Sequence, residues 1–251
     1  MFKGAVFDFD GVIVDSHPVH VRAWKRFLDS VDRTATEEQL QFVLDGRKRE
    51  DILRHFMGEL SEEQIIEYGC RKEKFFREEA RHVRTTNGVL AFLEDLECEH
   101  LTLAIASSGS RSRIDFLLER LDLKNTFRVV VTGDDVEQGK PHPGVFLEAA
   151  RQLGVECSQL VVFEDAVSGV KAARSAGMVC VGIAQPSNVS LLMDAGANYV
   201  APDFAMLSCA KLREICALSC MRSLSCYAVH AKSSGQDNSR TATREAEHGD
   251  R

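Results

Sequence analysis

No apolar stretch of the 251-residue chain approaches the ~20 uninterrupted residues that a membrane-spanning helix requires. Its most hydrophobic late segment, residues 206–229, is broken by Lys211, Arg213, Glu214 and Arg222. Positive charge is not in excess either. The chain has 31 Lys and Arg against 38 Asp and Glu, a net charge of −7, which argues against a broad basic surface for a nucleic-acid backbone. Eight cysteines are present but no Cys-x-x-Cys pair. Cys209, Cys216, Cys220 and Cys226 are close enough in sequence to suggest a soft-metal site, yet reduced thiols used as small apolar fillers account for them more simply. Met1-Phe2-Lys3-Gly4 runs straight into a strand-like segment with no signal-peptide pattern, so the chain reads as cytoplasmic. Residues 231–251 contain no Val, Ile, Leu, Met or aromatic residue and read as a disordered tail, because they cannot bury enough surface to offset chain ordering.

What remains has the composition of an ordinary folded domain, 44% apolar and 27% charged. Short apolar runs recur at Ala5–Phe9, Leu101–Ala106, Arg128–Thr132, Leu160–Phe163 and Val179–Ile183. Helix-like stretches separate the later ones: Ser112–Leu121, Gly144–Leu153 and Ser168–Ala176. Strands alternating with helices predict an α/β fold, a Rossmann-like doubly wound parallel sheet covered on both faces. Residues 17 to about 86 break the rhythm. Pro18 suits a first helical turn, and Trp24, Phe27, Leu28 and Val31 form a helical stripe. Thr36 with Gln39, and Ser61 with Gln64, have capping-box spacing, so two more helices start there. The expected division is a core of residues 1–15 and 88–207, an inserted α-helical cap of 16–87, a helical extension of 208–230, and the tail.

Ligands of an open parallel sheet bind beyond the carboxyl ends of its strands. The predicted strand ends present Asp8-Phe9-Asp10-Gly11-Val12, then Ser107-Ser108-Gly109, then Lys140 within Lys-Pro-His-Pro, then Glu164-Asp165. Four carboxylates meeting in one crevice repel one another unless a cation joins them. Hard oxygen ligands suit Mg²⁺, which keeps positions open for phosphate oxygens. The set is consistent with phosphoryl transfer, with Lys140 offsetting the charge of an incoming phosphate.

In order and spacing these four motifs resemble the haloacid dehalogenase superfamily, phosphotransferase branch, over roughly residues 2–205. The resemblance implies that Asp8 is the nucleophile, forming an aspartyl phosphate, and Asp10 the general acid and base. It implies Mg²⁺ held by the Asp8 carboxylate, the main-chain carbonyl of Asp10, Glu164 and Asp165. Ser107, the Ser108 and Gly109 amides and Lys140 would hold the phosphoryl oxygens. The helical insert resembles the cap of the β-phosphoglucomutase-like group at His20, Arg22, Ala23, Trp24 and Lys25, and at Gly46 with Arg49-Glu50-Asp51. There His20 would steady the acid/base loop and Arg49 would bind the substrate's distal end. Where the mutase carries a second serine and a basic residue, this chain has Gly109 and Ser110, with Arg111 one step later.

These features predict a Mg²⁺-dependent phosphohydrolase of a small phosphorylated metabolite, with a sugar phosphate as the leading substrate class. The alternatives are a β-phosphoglucomutase-type hexose-phosphate mutase using the same residues, and a phospho-metabolite binding protein without catalysis. The partners expected are the small metabolite alone, without nucleic acid or membrane, and the chain is expected to be a monomer or weak homo-oligomer.

Overall fold

The computed structural model describes residues 2–219. Six parallel strands form one sheet: β1 Gly4–Phe7, β2 Thr102–Ala106, β3 Val129–Val131, β4 Leu160–Glu164, β5 Val179–Ile183 and β6 Tyr199–Ala201. Their spatial order is β3-β2-β1-β4-β5-β6. The chain therefore leaves β1 toward one side and later returns to its other side. This creates a topological switch at the carboxyl end of β1, where crossovers diverge and a crevice opens. Five strands follow the sequence pattern. The sixth, three residues between turns, is too short to register as an apolar run.

Alternation along the strands sorts side chains to two faces. Ala5, Phe7, Leu103, Ile105, Val161, Phe163 and Val181 belong to one buried cluster, and Val6, Ala104, Ala106, Leu160, Val162 and Cys180 to the other. The helices in chain order begin with α1 His17–Asp29, α2 Glu37–Leu40, α3 Arg49–Met57 and α4 Glu62–Glu79, all in the insert between β1 and β2. Next come α5 Val89–Cys98 and α6 Arg111–Arg120, which cover the first face together with helical residues 209–219. The second face is covered by α7 Gly144–Leu153, α8 Val167–Ser175 and α9 Val189–Asp194. Directly beneath the crevice, Phe7 stacks on Phe163 at 4.7 Å between ring centroids, with Phe92 and Phe204 packed around the pair. Aromatic contacts of this kind contribute about 0.5–1.5 kcal/mol each beyond burial, and they fix the floor on which Asp8 stands.

The insert has its own core of Trp24, Phe27, Leu28, Leu40, Val43, Ile52, Leu53 and Ile65. Both capping boxes form as the spacing predicts, Thr36 with Gln39 and Ser61 with Gln64. Pro18 lies in the first turn of α1, but that helix stops at Asp29, so Val31 packs from the following turn instead of extending the stripe. The proposed extension of 208–230 is helical over 209–219, where Cys209, Leu212 and Ile215 join the core. Cys220, Cys226 and the tail 231–251 lie outside the described residues. Among the described residues Cys209 and Cys216 are free thiols, and no cysteine belongs to a metal-type cluster. No helix of these residues is long and apolar enough to cross a membrane.

Candidate active site

Asp8 is the first residue past β1 and its amide bonds to the Phe163 carbonyl, so the neighbouring strand positions it. Ser107 follows β2, Glu164 ends β4, and Asp165 follows it. Ligand oxygens of Asp8, Glu164 and Asp165 lie within 4.8 Å of one another. Lys140 reaches this group from the loop before α7, with no exposed side-chain surface, and bonds to Asp8, to Glu164 Oε1 at 2.6 Å and to the Ala106 carbonyl at 3.1 Å. Glu164 also accepts the Asp165 and Ala166 amides.

Burial, then the charges of Glu164 and Asp10, push the Asp8 pKa up to about 7 although Lys140 opposes them. Burial likewise raises Glu164 and Asp165. For Lys140 burial works against the charge, but Asp8 and Glu164 outweigh it and hold the ammonium well above the ordinary lysine range. Three buried acids facing Lys140, with His17 beside Asp165 as the second cation, form a cluster still short of positive charge. All the donors are hard carboxylate oxygens, so the residues fit Mg²⁺.

Asp10 departs from the expected convergence of four carboxylates. Its side chain turns away from the other three and toward the insert. There its Oδ1 accepts Ser16 Oγ at 2.6 Å and lies 3.0 Å from His20 Nε2, and its Oδ2 accepts Arg113 Nη2 at 2.5 Å. Burial raises its pKa, but Arg113 and then His20 more than reverse this and hold the carboxyl well below its usual range. Burial and the nearby Lys72 depress His20 to about 3. The imidazole is thus neutral, its Nε2–H donates to the ionised Asp10, and its Nδ1 accepts from Lys72 Nζ at 3.2 Å. Lys72, on α4, is itself depressed to about 7 by burial and then by Arg113. The bend that separates Asp10 from Asp8 depends on Gly11 at φ +79°, where a Cβ would fall 2.0 Å from Asp165 Oδ2.

Arg113, His17 and Lys72 are site residues that the motifs did not reveal. His17 Nε2 lies 2.8 Å from Asp165 Oδ2. Burial works against its charge, but Asp165 lifts its pKa to about 9. The basic residue after motif two that reaches the site is Arg113. Arg111 points outward to Asp135 and the Val130 carbonyl. Gly109 makes this possible, since a Cβ there would lie 2.2 Å from Arg113 Nη2. The Gly109 amide, expected to face phosphate, bonds to Ser107 Oγ at 3.0 Å.

One cavity of about 60 Å³ joins the two halves of the site, lined on the core side by Asp8, Ser107 and Ser108 and on the insert side by Trp24, Arg49 and Glu73. Of the three cations crowded at the start of α3, Arg47 pairs with Asp45 and Lys48 Nζ binds the Val136 carbonyl at 2.9 Å and that of Glu137 at 3.4 Å. Arg49 remains, its buried Nε without a hydrogen-bond partner among the described residues. Two further bonds fasten this loop to the core, Ser108 Oγ to the Gly46 carbonyl at 2.6 Å and Ser168 Oγ to the Asp45 carbonyl.

Residues 5–183 match the model of the haloacid dehalogenase-like hydrolase family. The chain belongs to that family. Within it the chain falls in the β-phosphoglucomutase-like group and is an enzyme. The hydrolase is 32% identical over 209 residues to the phosphorylated carbohydrates phosphatase of Thermotoga maritima, covering 78% of this chain and 92% of that one. It is 33% identical over 192 residues to hexitol phosphatase A of Escherichia coli, covering 76% and 87%. β-Phosphoglucomutase of Bacillus subtilis is 29% identical over 201 residues, covering 73% and 84%. The crystal structure of β-phosphoglucomutase from Clostridium difficile shares the fold at a TM-score of 0.79, with 23% identity over 88% of this chain and all of that chain.

Proposed function

We propose that this hydrolase removes phosphate from a small phosphorylated sugar or sugar alcohol through an aspartyl phosphate on Asp8. The observation that carries the reading is the pairing of two aspartates with opposite surroundings in one cavity: Asp8 beside Lys140 among acids, and Asp10 clamped by Ser16 and His20 of the insert and Arg113 of α6. Relatives named for phosphorylated carbohydrates and hexitols support the substrate class.

An Asp8 oxygen attacks phosphorus and the ester P–O bond breaks, the leaving oxygen taking a proton from Asp10, which is ionised in the free enzyme and takes that proton up from the bound phosphate monoanion before the bond breaks. Water then attacks the aspartyl phosphate, giving its proton to Asp10 as the Asp8–phosphorus bond breaks. Lys140, Ser107 and the amides of Ser108 and Gly109 hold the phosphoryl oxygens. For Gly109 this requires its amide to leave Ser107 Oγ. Mg²⁺ would be held by Asp8, Asp165, Glu164 and the Asp10 carbonyl, and would supply positive charge between the carboxylates and the phosphate. Arg49 and the His20–Lys72 pair act from the insert, Arg49 on the distal end of the substrate and His20 on Asp10.

The small cavity favours a second reading, a hexose-phosphate mutase. About 60 Å³ leaves little room for bulk water, and excluding water lets a sugar hydroxyl compete for the aspartyl phosphate. Supplying β-glucose 1-phosphate with a trace of glucose 1,6-bisphosphate separates the two: phosphate release is expected, and efficient isomerisation with little free phosphate reverses the assignment. Asp8→Asn is expected to abolish turnover of every ester. Undiminished turnover rules out the covalent route, and a wild-type enzyme that binds sugar phosphates but turns over none is a binding protein.

A further inference from the structure

Four acids line the cavity: Asp8, Asp10, Asp165 and Glu73. The first three have the cationic or hydroxyl partners described above. Glu73, on α4 and 9% exposed, differs from them, since its buried Oε1 has no hydrogen-bond partner among the described residues. Trp24 lines the same cavity, and its Nε1–H is likewise buried and without a hydrogen-bond partner among the described residues. Val43, Leu44 and Ile52 supply an apolar wall beside them.

An unmet carboxylate oxygen inside a protein is costly, and so is an unmet indole N–H; both are kept where a ligand completes them. The pair has a definite chemistry. Glu73 accepts and cannot donate when ionised, and the indole donates and cannot accept. Hydroxyl groups can serve either, since each both donates and accepts, and the C–H face of a polyol suits the apolar wall. A second carboxylate on the substrate would meet Glu73 as a like charge.

We infer that Glu73, with Trp24, selects substrates by their hydroxyl groups, so that the enzyme prefers phosphate esters of polyols over phosphorylated acids and hydroxyl-free esters. This rests on the phosphohydrolase reading above and specifies its leaving group. Glu73 lies on the insert, across the cavity from Asp8 and Lys140, as a leaving-group contact should. Arg49 pulls the other way, because a guanidinium binds a carboxylate more strongly than a hydroxyl, so selection against phosphorylated acids falls to Glu73.

The test measures kcat/KM of the full chain with Mg²⁺ for sorbitol 6-phosphate and glucose 6-phosphate, and for phenyl phosphate and 2-phosphoglycolate as hydroxyl-free references. The wild-type enzyme is expected to favour the polyol esters by roughly 100-fold or more. Glu73→Ala should shrink the ratio of sorbitol 6-phosphate to phenyl phosphate by roughly 10- to 100-fold. Glu73→Gln keeps an acceptor oxygen and should shrink it less. Because each variant is compared with itself on two substrates, a partly unfolded preparation leaves the ratio intact. A ratio within about threefold of wild type, or a parallel fall on all four esters, overturns the role of Glu73. If the wild-type enzyme releases phosphate from none of the four, the phosphohydrolase reading itself fails.

Discussion

Replacing Gly109 with alanine is expected to weaken catalysis through a residue four positions away. The new Cβ falls 2.2 Å from Arg113 Nη2 and 2.9 Å from its Cζ, whereas non-bonded heavy atoms rest about 3.5–4.0 Å apart. The guanidinium must retreat by roughly 1–1.5 Å. Its bond to Asp10 Oδ2, 2.5 Å long, is then stretched past hydrogen-bond reach. A hydrogen bond to a charged group is worth about 1.5–3 kcal/mol, and each ~1.4 kcal/mol in a barrier is tenfold in rate. The expected fall in kcat/KM is therefore roughly 10- to 100-fold. Arg113→Ala alone should cost a similar factor. The deciding measurement is the double variant: with no guanidinium to displace, Gly109→Ala should add less than about threefold to Arg113→Ala. If its full cost persists in that background, the glycine acts through phosphate contact or loop geometry and the steric argument fails.

Lys140→Met should destabilise the metal-free protein by about 3–5 kcal/mol in urea, since it strands two buried carboxylates. The loss should shrink as pH falls and those acids take up protons, and an unchanged urea midpoint contradicts the pairing. Lys72 titrates near 7 when folded against 10.5 when free. Between those values the unfolded chain binds the extra proton, so its contribution to stability grows as pH rises from about 7 toward 10.5 and is lost as pH falls back. Lys72→Met should flatten that part of the stability profile, and an unaltered slope shows that Lys72 is not buried as a neutral amine.

Much of the sheet and its carboxyl-end chemistry was readable because both depend on local pattern. Short apolar runs mark β1 to β5, and helix Gly144–Leu153 has in the structure the bounds that its sequence suggests. Asp8, Lys140, Glu164 and Asp165 meet because each stands just past a strand or in the loop leading from one. Less visible were the residues whose place depends on how the insert docks. Arg113, Lys72 and Glu73 carry one signal in retrospect. They occupy buried helix faces, Arg113 with Ile114 and Leu117, and Lys72 and Glu73 with Ile65 and Phe76. A charge on such a face requires a partner or a ligand. The sequence shows the requirement but not which residue meets it, and only the structure shows that of Arg111 and Arg113 it is the latter that reaches Asp10. Nothing local marks Asp10 as turned from its three fellow acids; that follows from the Gly11 bend and the donors across the crevice.

The fastening of residues 45–48 has a consequence for how the enzyme loads. Its anchors, Asp45 to Ser168, Gly46 to Ser108 and Lys48 to the carbonyls of Val136 and Glu137, come from three residues within a run of four but reach the first turn of α8 and two core loops. A chamber of about 60 Å³ is far below the ~300–1,000 Å³ of ordinary small-molecule pockets, and Gly46 and Arg47 of this seam form part of its wall. With the latches so closely spaced, releasing one pulls on the others, and a half-ajar arrangement gains nothing to hold it. The loop therefore tends to hold or let go as one unit, and Ser108, proposed to hold the phosphoryl group, is also one of its latches.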